Sequence, residues 1–246
     1  MSTARAPHCL VVLPTYNEKG NVEALAAQLL GLPANIDVIV VDDSSPDGTA
    51  DLVERLAAGN PRIRLIRRPN KLGLGSAYLA AFEYALARDY DAVCTMDADC
   101  SHDPKHLPVM LERLAGADVV IGSRYCAGGR VEHFSAARKI NSFVANALAR
   151  RATGVRVRDA TSGYRIYRTE FLRRMPLDAL QSHGYSMLVE LLYEAKRAGA
   201  RIVESPIVFK NRASGDSKIT FGEIFESLKT FGQIRTRART SHRLSA

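Results

Sequence analysis

The sequence has no tryptophan, only four cysteines among 246 residues, and no long apolar run. Each scarcity removes a class of function. Cys9, Cys94, Cys100 and Cys126 show no C-x-x-C spacing and no paired histidine motif, which argues against a zinc site and for reduced, mostly buried thiols. The longest stretch without a charge, 24–36, has 13 residues and contains Pro33. A spanning helix needs roughly 18 or more apolar residues, so none is expected. Residues 1–8 carry no apolar signal-peptide core, and the expected location is the cytosol unless something recruits the protein to a membrane. The missing tryptophan, with no stacking or reading-helix motif, counts against a nucleic-acid partner despite a net charge of +8. No internal repeat or low-complexity tract stands out. What is present, 46% hydrophobic and 24% charged residues, is ordinary globular composition and enough for one large α/β domain.

The charge is unevenly placed. Residues 1–123 hold 11 Lys/Arg against 16 Asp/Glu, residues 124–174 hold 12 against 3, and residues 175–246 hold 11 against 7. An acidic first half and a basic second half point to two jobs, metal handling and anion binding. The tail at 229–246 has five basic residues and no acidic one, a composition that suits anionic lipid, nucleic acid or plain solvent.

Short apolar runs at 9–13, 36–41, 63–66, 92–96 and 119–122 alternate with helical spacing at 22–32, 49–57, 76–87 and from Pro104. Continuous apolar strands between helices predict a parallel sheet covered on both faces, with its ligand at the carboxyl ends of the strands. Beyond Tyr125 the spacing predicts helices at 133–152, 188–198 and 221–233 and a strand at 202–209. No linker separates an independent domain.

Four polar clusters follow four strands: Pro14-Thr15-Tyr16-Asn17-Glu18, Asp42-Asp43, Asp97-Ala98-Asp99 and Gly122-Ser123-Arg124-Tyr125. A lone D-x-D is an ordinary solvated turn. At a strand's end, residues i and i+2 point the same way, so Asp97 and Asp99 can offer two hard oxygen ligands to one Mg²⁺ or Mn²⁺. Asp43 can accept hydrogen bonds from a base or ribose, and Tyr16 can pack near a ring; helix starts at Glu18 and Asp47 are the plainer reading. Arg124 can clamp a phosphate bidentately. Arg212 and Lys218 flank a flexible-looking loop able to fold over a pyrophosphate. Leu72-Gly73-Leu74-Gly75-Ser76-Ala77 begins like a dinucleotide fingerprint, but position 78 is Tyr and the segment does not follow the first strand, so a dehydrogenase is rejected.

These clusters, together with Val41-Asp42-Asp43-Ser44-Ser45-Pro46-Asp47-Gly48-Thr49, Lys71-Leu72-Gly73-Leu74-Gly75 and Thr161-Ser162-Gly163-Tyr164-Arg165, stand in an order that resembles the family 2 glycosyltransferases. Within that family they look most like the dolichol- or polyprenol-phosphate mannose synthases, over residues 9 to about 220. The resemblance implies a GT-A (Rossmann-like) fold, a mostly parallel sheet flanked by helices, with C-terminal helical elements on the acceptor side. It implies a domain at 1–220 and a C-terminal helix and basic tail at 221–246. It implies inverting transfer of mannose from GDP-mannose to a polyprenyl monophosphate, with another donor such as UDP-glucose as the sibling alternative. Outside transferases, a nucleic-acid binder or a catalytically silent sugar-nucleotide sensor are the competing classes.

By the same resemblance Pro14, Tyr16, Glu18, Val41 and Asp43 hold the guanosine, and Asp97, Ala98 and Asp99 lie by the diphosphate and metal. Arg124, Arg212 and Lys218 neutralise phosphates, while Arg138 and Ser142 meet the lipid phosphate. Some relatives place Gln two residues after the second Asp as a metal ligand; here that position is Ser101. Many relatives carry spanning helices and this chain has none, so the resemblance leaves an amphipathic helix, the basic tail or a separate membrane-spanning partner to bring it to the cytoplasmic face of the membrane.

Overall fold

The computed structural model describes residues 6–180, 184, 186–210 and 232, and the statements below concern these. In chain order the elements are β1 (Cys9–Thr15), α1 (Lys19–Leu30), β2 (Ile36–Asp42), α2 (Thr49–Gly59), β3 (Ile63–Arg67), α3 (Leu74–Leu86), β4 (Ala92–Thr95) and α4 (Leu107–Arg113). There follow β5 (Val119–Ser123), β6 (Arg130–Val131), α5 (Ala136–Thr153), β7 (Arg165–Arg168), α6 (Thr169–Leu172), α7 (Ser186–Arg197), β8 (Ile202–Pro206) and β9 (Val208–Phe209). Seven strands form one sheet in the order β3-β2-β1-β4-β7-β5-β8; β6 and β9 pair separately as a parallel ribbon.

The strands lack a polar face because both faces are covered. Leu10 and Val12 of β1, with Ile39 and Val41 of β2, pack toward Ala77, Tyr78, Ala81 and Phe82 of α3 and Met187 and Leu191 of α7. Val11, Leu13, Val38 and Val40 point the other way, into a second core with Val22 and Leu25 of α1, Val53 of α2 and Leu107 and Met110 of α4. The period-2 alternation along each strand assigns the residues to these two layers.

Three local features differ from the sequence expectations. The apolar run at 202–209 is two strands rather than one: Ile207 separates β8, paired with β5, from β9, paired with β6. The helix expected from 133 starts at Ala136, because His133 has a left-handed backbone (φ 60°) and the Ser135 hydroxyl caps the first turn by accepting from the Arg138 N–H at 3.2 Å. Finally, β7 was not anticipated. It carries arginines at both ends, and the fully buried Arg165 is satisfied by the carbonyls of Ser162 and Ala160, each at 2.8 Å, and of Leu188.

The reversed strand positions the site. β1, β2 and β4 run parallel, and β7 is antiparallel to both β4 and β5, so β5 runs with β4. The carboxyl ends of β1, β2, β4 and β5 therefore share one edge, as the four polar clusters predicted. The residues entering β7, Thr161 to Tyr164, come to the same edge from the opposite direction.

Candidate active site

Three of the four non-glycine residues with positive φ sit just past strand ends at this edge: Asn17 (61°), Ser44 (56°) and Cys100 (60°). Such conformations cost energy and persist where the surroundings over-determine them. Here hydrogen bonds do so. Asp42, fully buried, accepts from the hydroxyls of Thr15 (2.8 Å) and Ser45 (2.6 Å) and from the Ser45 N–H (2.9 Å), which ties the loop after β2 to the end of β1. Asp47 accepts from the Thr49 hydroxyl and the Lys19 N–H, and these bonds hold its carboxyl below the usual range although burial pushes it up.

Asp43 is also buried, and its carboxylate is already engaged. It pairs with Arg68 and accepts from the Gly73 N–H at 2.8 Å. Arg68 in turn donates to the Ser76 hydroxyl and to the Gly73 carbonyl, at 2.6 and 2.9 Å. The loop read as a false dinucleotide fingerprint thus has a concrete job: Gly73, at φ 89°, turns the chain so that its N–H meets Asp43 and α3 can begin. Tyr16 lies beneath the Lys71 ammonium, 4.0 Å from its ring centre. Glu18 accepts from the Asn21 amide at 2.9 Å and begins α1, and Pro14 is half-buried at the end of β1. The Val41 side chain is wholly in the core, so it forms the floor of this region rather than a surface a ligand meets.

The acidic pair corrects one expectation. Strand β4 ends at Thr95, so Asp97 and Asp99 are not aligned by a strand's pleat; they occupy the bend after it, shaped by left-handed Cys100. Asp97 is partly exposed, with its Oδ2 3.8 Å from His102 Nδ1, and its own N–H donates to that nitrogen at 3.2 Å. Asp99 is buried and accepts the Ser101 N–H at 3.0 Å. Ala98 is buried between them in sequence, on the core side. Among the described residues no three His, Cys, Asp or Glu side chains gather in a metal-binding group. What the bend offers instead is two carboxylates and a hydroxyl: Ser101 Oγ is buried and has no hydrogen-bond partner, an orphaned oxygen on the residue whose N–H meets Asp99. That set fits a Mg²⁺- or Mn²⁺-sized ion completed by water or phosphate oxygens.

Sequence reasoning missed His102. It is buried, with its ring 5.2 Å from both Tyr164 and Phe209, and burial pushes its pKa down to about 4. It is therefore neutral, and its Nδ1 holds the Asp97 backbone in place. Its position next to the D-x-D was the available signal.

Arg124 brings the second correction. Expected as an open phosphate clamp, its fork is filled by Asp159: Nε to Oδ2 and Nη2 to Oδ1, both 2.7 Å, with Nη2 also 2.8 Å from Thr161 Oγ1. Asp159 is fully buried. Burial acts to raise its pKa, and the facing guanidinium holds it below the usual carboxylate range. Most of the Arg124 charge is thus answered within the protein. The signal for Asp159 was its rarity, as one of three acids against twelve bases in 124–174.

The same network reaches α5. The Asn146 amide donates to Thr161 Oγ1 at 2.9 Å, and the Tyr125 and Ser142 hydroxyls are 2.6 Å apart. Arg138, one turn before Ser142, lies over the Phe134 ring at 4.3 Å. The structure therefore brings Arg124, Arg138 and Ser142 to one region where Tyr125 meets α5. Arg212, Lys218 and, apart from Gly232, the helix expected at 221–233 and the tail at 229–246 lie outside the described residues.

The opposite face of α5 is unusual. Ile140, Phe143, Val144 and Leu148 are 63, 66, 48 and 39% exposed and follow i, i+3, i+4, i+8 spacing, while the helix turns Asn146, Ala149 and Thr153 inward. No helix among the described residues is long and apolar enough to cross a membrane.

Comparison with known proteins gives a consistent result. The sequence profile of "Glycosyl transferase family 2" matches residues 10–175. The chain is 42% identical over 219 residues to the undecaprenyl-phosphate mannosyltransferase of Micrococcus luteus, covering 89% of this chain and 90% of that one. It is 40% identical over 232 residues to the polyprenol monophosphomannose synthase of Mycolicibacterium smegmatis, covering 94 and 88%. The dolichol-phosphate mannosyltransferase of Pyrococcus furiosus is 37% identical, and 61% of its length is matched. Among solved structures, glucosyl-3-phosphoglycerate synthase from Mycobacterium tuberculosis shares the fold with a TM-score of 0.68 and 21% identity, over 94% of this chain and 80% of that one.

Proposed function

The chain belongs to glycosyl transferase family 2, and from that premise we propose that it transfers mannose from GDP-mannose to a polyprenyl monophosphate, inverting the anomeric carbon and using a divalent metal. The observation that carries the reading is a juxtaposition. One sheet edge holds an acidic pair, Asp99 buried and Asp97 partly exposed, with an orphaned hydroxyl, and beside it stands a helix that turns polar residues toward the site and apolar ones toward solvent.

The roles follow from charge. Asp97 and Asp99, with Ser101, would hold Mg²⁺ or Mn²⁺, which when bound supplies positive charge to the diphosphate of the departing nucleotide. A solved structure of the same fold, 21% identical with a TM-score of 0.66, is in complex with Mn²⁺, UDP and glucosyl-3-phosphoglycerate, which supports a divalent ion here. Pro14, Tyr16, Glu18 and Asp43 border the nucleoside pocket, with Val41 as its floor, and Arg68 fixes the Asp43 carboxylate from behind. An acceptor phosphate monoester has a second pKa of about 6 and is largely dianionic near pH 7. It needs no strong general base; it needs alignment with the anomeric carbon and electrostatic support. Ser142 and Arg138 offer a hydroxyl and a guanidinium for that phosphate. Arg124, anchored by Asp159, keeps its Nη1 for a phosphate and is positioned rather than free to swing.

The apolar stripe of α5 is the contact with the membrane in this reading, a helix lying in the interface and bringing Ser142 to headgroup depth. Fully burying a residue the size of Phe or Ile contributes roughly 1.5–3 kcal/mol, so four partly buried ones give peripheral, reversible attachment. The basic tail and a separate membrane-spanning partner are further means of attachment.

The test is a donor comparison with purified protein, Mg²⁺ or Mn²⁺, and polyprenyl phosphate in vesicles. Radiolabelled mannose is expected in the lipid from GDP-mannose and lost with chelator. Equal or greater transfer from UDP-glucose overturns the donor assignment, and no transfer from any sugar nucleotide overturns the activity.

A further inference from the structure

Where α5 ends, the surface carries an open groove of about 560 Å³ whose walls include Arg150, Arg151, Arg156 and Arg158. Arg150 and Arg158 also line a neighbouring cavity of about 360 Å³, together with Tyr125, Phe143 and Asn146, so the two adjoin. None of the four guanidiniums forms a salt bridge among the described residues. The nearest acid in sequence, Asp159, is committed to Arg124, and Glu204 accepts the backbone N–H groups of Arg158 and Asp159 instead. Four like charges around one concavity repel one another and focus a positive potential into it. Inside the smaller cavity's wall, Asn146 is 2% exposed and its Oδ1 has no hydrogen-bond partner, leaving an acceptor for a ligand hydroxyl.

We infer that this groove is a second phosphate site, distinct from the acceptor position at Arg138 and Ser142, and that it holds the phosphodiester headgroup of an anionic glycerophospholipid. The inference rests on the membrane-facing reading of α5. Two observations favour a lipid over a soluble phosphate ester, and a third separates the groove from the acceptor position. The apolar stripe runs straight into the groove: Leu148 lies three residues before Arg151, and Phe143 forms part of the adjoining wall. At 1.5 Å per residue, Arg150 lies about 12 Å along the helix from Ser142, too far to share one phosphate with it. With the stripe in the interface, the helix lies flat and its arginines stand at the depth of lipid phosphates. Charge complementarity also argues against the chain's own tail as occupant, since 229–246 carries five basic residues and no acid.

Flotation of the full chain with phosphatidylcholine vesicles, with and without phosphatidylglycerol, tests this. Wild type is expected to bind the phosphatidylglycerol vesicles more tightly. The Arg151→Gln/Arg156→Gln variant is expected to lose on the order of 10- to 30-fold of that gain, about one basic contact's worth for each residue. It should bind neutral vesicles as wild type does and retain turnover on a short, water-soluble acceptor. A control with the same charge change at the far edge of the sheet, Arg62→Gln/Arg64→Gln, should keep the gain. The inference falls if phosphatidylglycerol brings no gain, if both double variants lose it equally, or if inorganic phosphate abolishes it where the soluble headgroup glycerophosphoglycerol does not. Ile140→Ser/Val144→Ser, which lies outside both cavities, separates the two claims. Loss of neutral-vesicle binding in that variant with no effect of the arginine pair leaves the α5 reading standing and this inference overturned. The converse pattern overturns the α5 reading and, with it, the lipid as occupant of the groove.

Discussion

At the carboxyl edge of the sheet, charge goes inward: Asp42, Asp43, Arg68, Asp99 and Asp159 are all buried. On α5 the arrangement is inverted, with isoleucine, phenylalanine, valine and leucine outside and Asn146 and Thr153 inside. The first arrangement is stable because each buried charge has partners: Asp43 has Arg68 and Gly73, and Asp159 has Arg124. Desolvated ions tolerate nothing less. The second has no internal answer, since exposed apolar side chains gain only from something apolar brought to them. In one region the buried charges are answered from within; the other is answered only by a partner surface.

That contrast can be broken at several points. The largest effect is expected from Asp97→Asn or Asp99→Asn, which remove from the prepared edge a charge proposed to hold the metal. Transfer should fall by on the order of 10²–10³ or more with the circular dichroism spectrum unchanged; turnover near wild type at saturating metal would refute the site. Next, Asp159→Asn leaves a buried guanidinium half-answered and should cost about 3–5 kcal/mol in a denaturant titration. Its pH signature has a definite sign. The Asp159 carboxyl lies below the ordinary range when folded, so its contribution is fully present above about pH 4 and is lost as pH falls through the lower folded value. The gap between wild type and Asp159→Asn should close toward strongly acid pH.

The inverted helix makes the opposite demand. Ile140→Ser/Phe143→Ser should leave stability within about 0.5 kcal/mol per site, as ordinary surface changes do, while vesicle binding drops severalfold or more. A stability loss as large as that of Asp159→Asn would mean that the stripe packs against the protein itself. The smallest effect belongs to Ser101→Ala. Removing a hydroxyl without a partner should leave stability unchanged, yet isothermal titration should show metal affinity weakened by roughly 10-fold if the oxygen is a ligand. Equal metal affinity assigns that position to water.

Much of the first region was legible in the chain, because apolar runs ending in Asp or Arg mark strand ends in a parallel sheet, and the sheet edge follows from topology alone. The D-x-D pair could be placed at that edge but not oriented: its geometry depends on a left-handed Cys100, and cysteine carries no signal for that conformation. Strand β7 was hidden because Arg165 and Arg168 read as surface residues, and only the carbonyls of 160, 162 and 188 make a buried arginine acceptable there. The fate of Arg124 was equally invisible, since its partner lies 35 residues away. On α5, spacing predicts the helix but not which face turns outward, which is set by where Asn146 and Ala149 pack.

The reversal of β7 has a further consequence. The chain leaves the sheet at Ser123 and returns at Arg165 in the neighbouring strand, and the two ends are bolted together: Gly122 donates its N–H to the Tyr164 carbonyl at 2.8 Å and accepts from the Ser162 hydroxyl at 2.6 Å. Everything between, α5 and its arginines included, is a cassette closed at its base. Such an insert can change its exposed face without disturbing the register of the seven-stranded sheet, since its own strand, β6, pairs with β9 in a separate ribbon. In the reading proposed above, the acceptor side can thereby drift while the edge that handles the sugar nucleotide stays fixed.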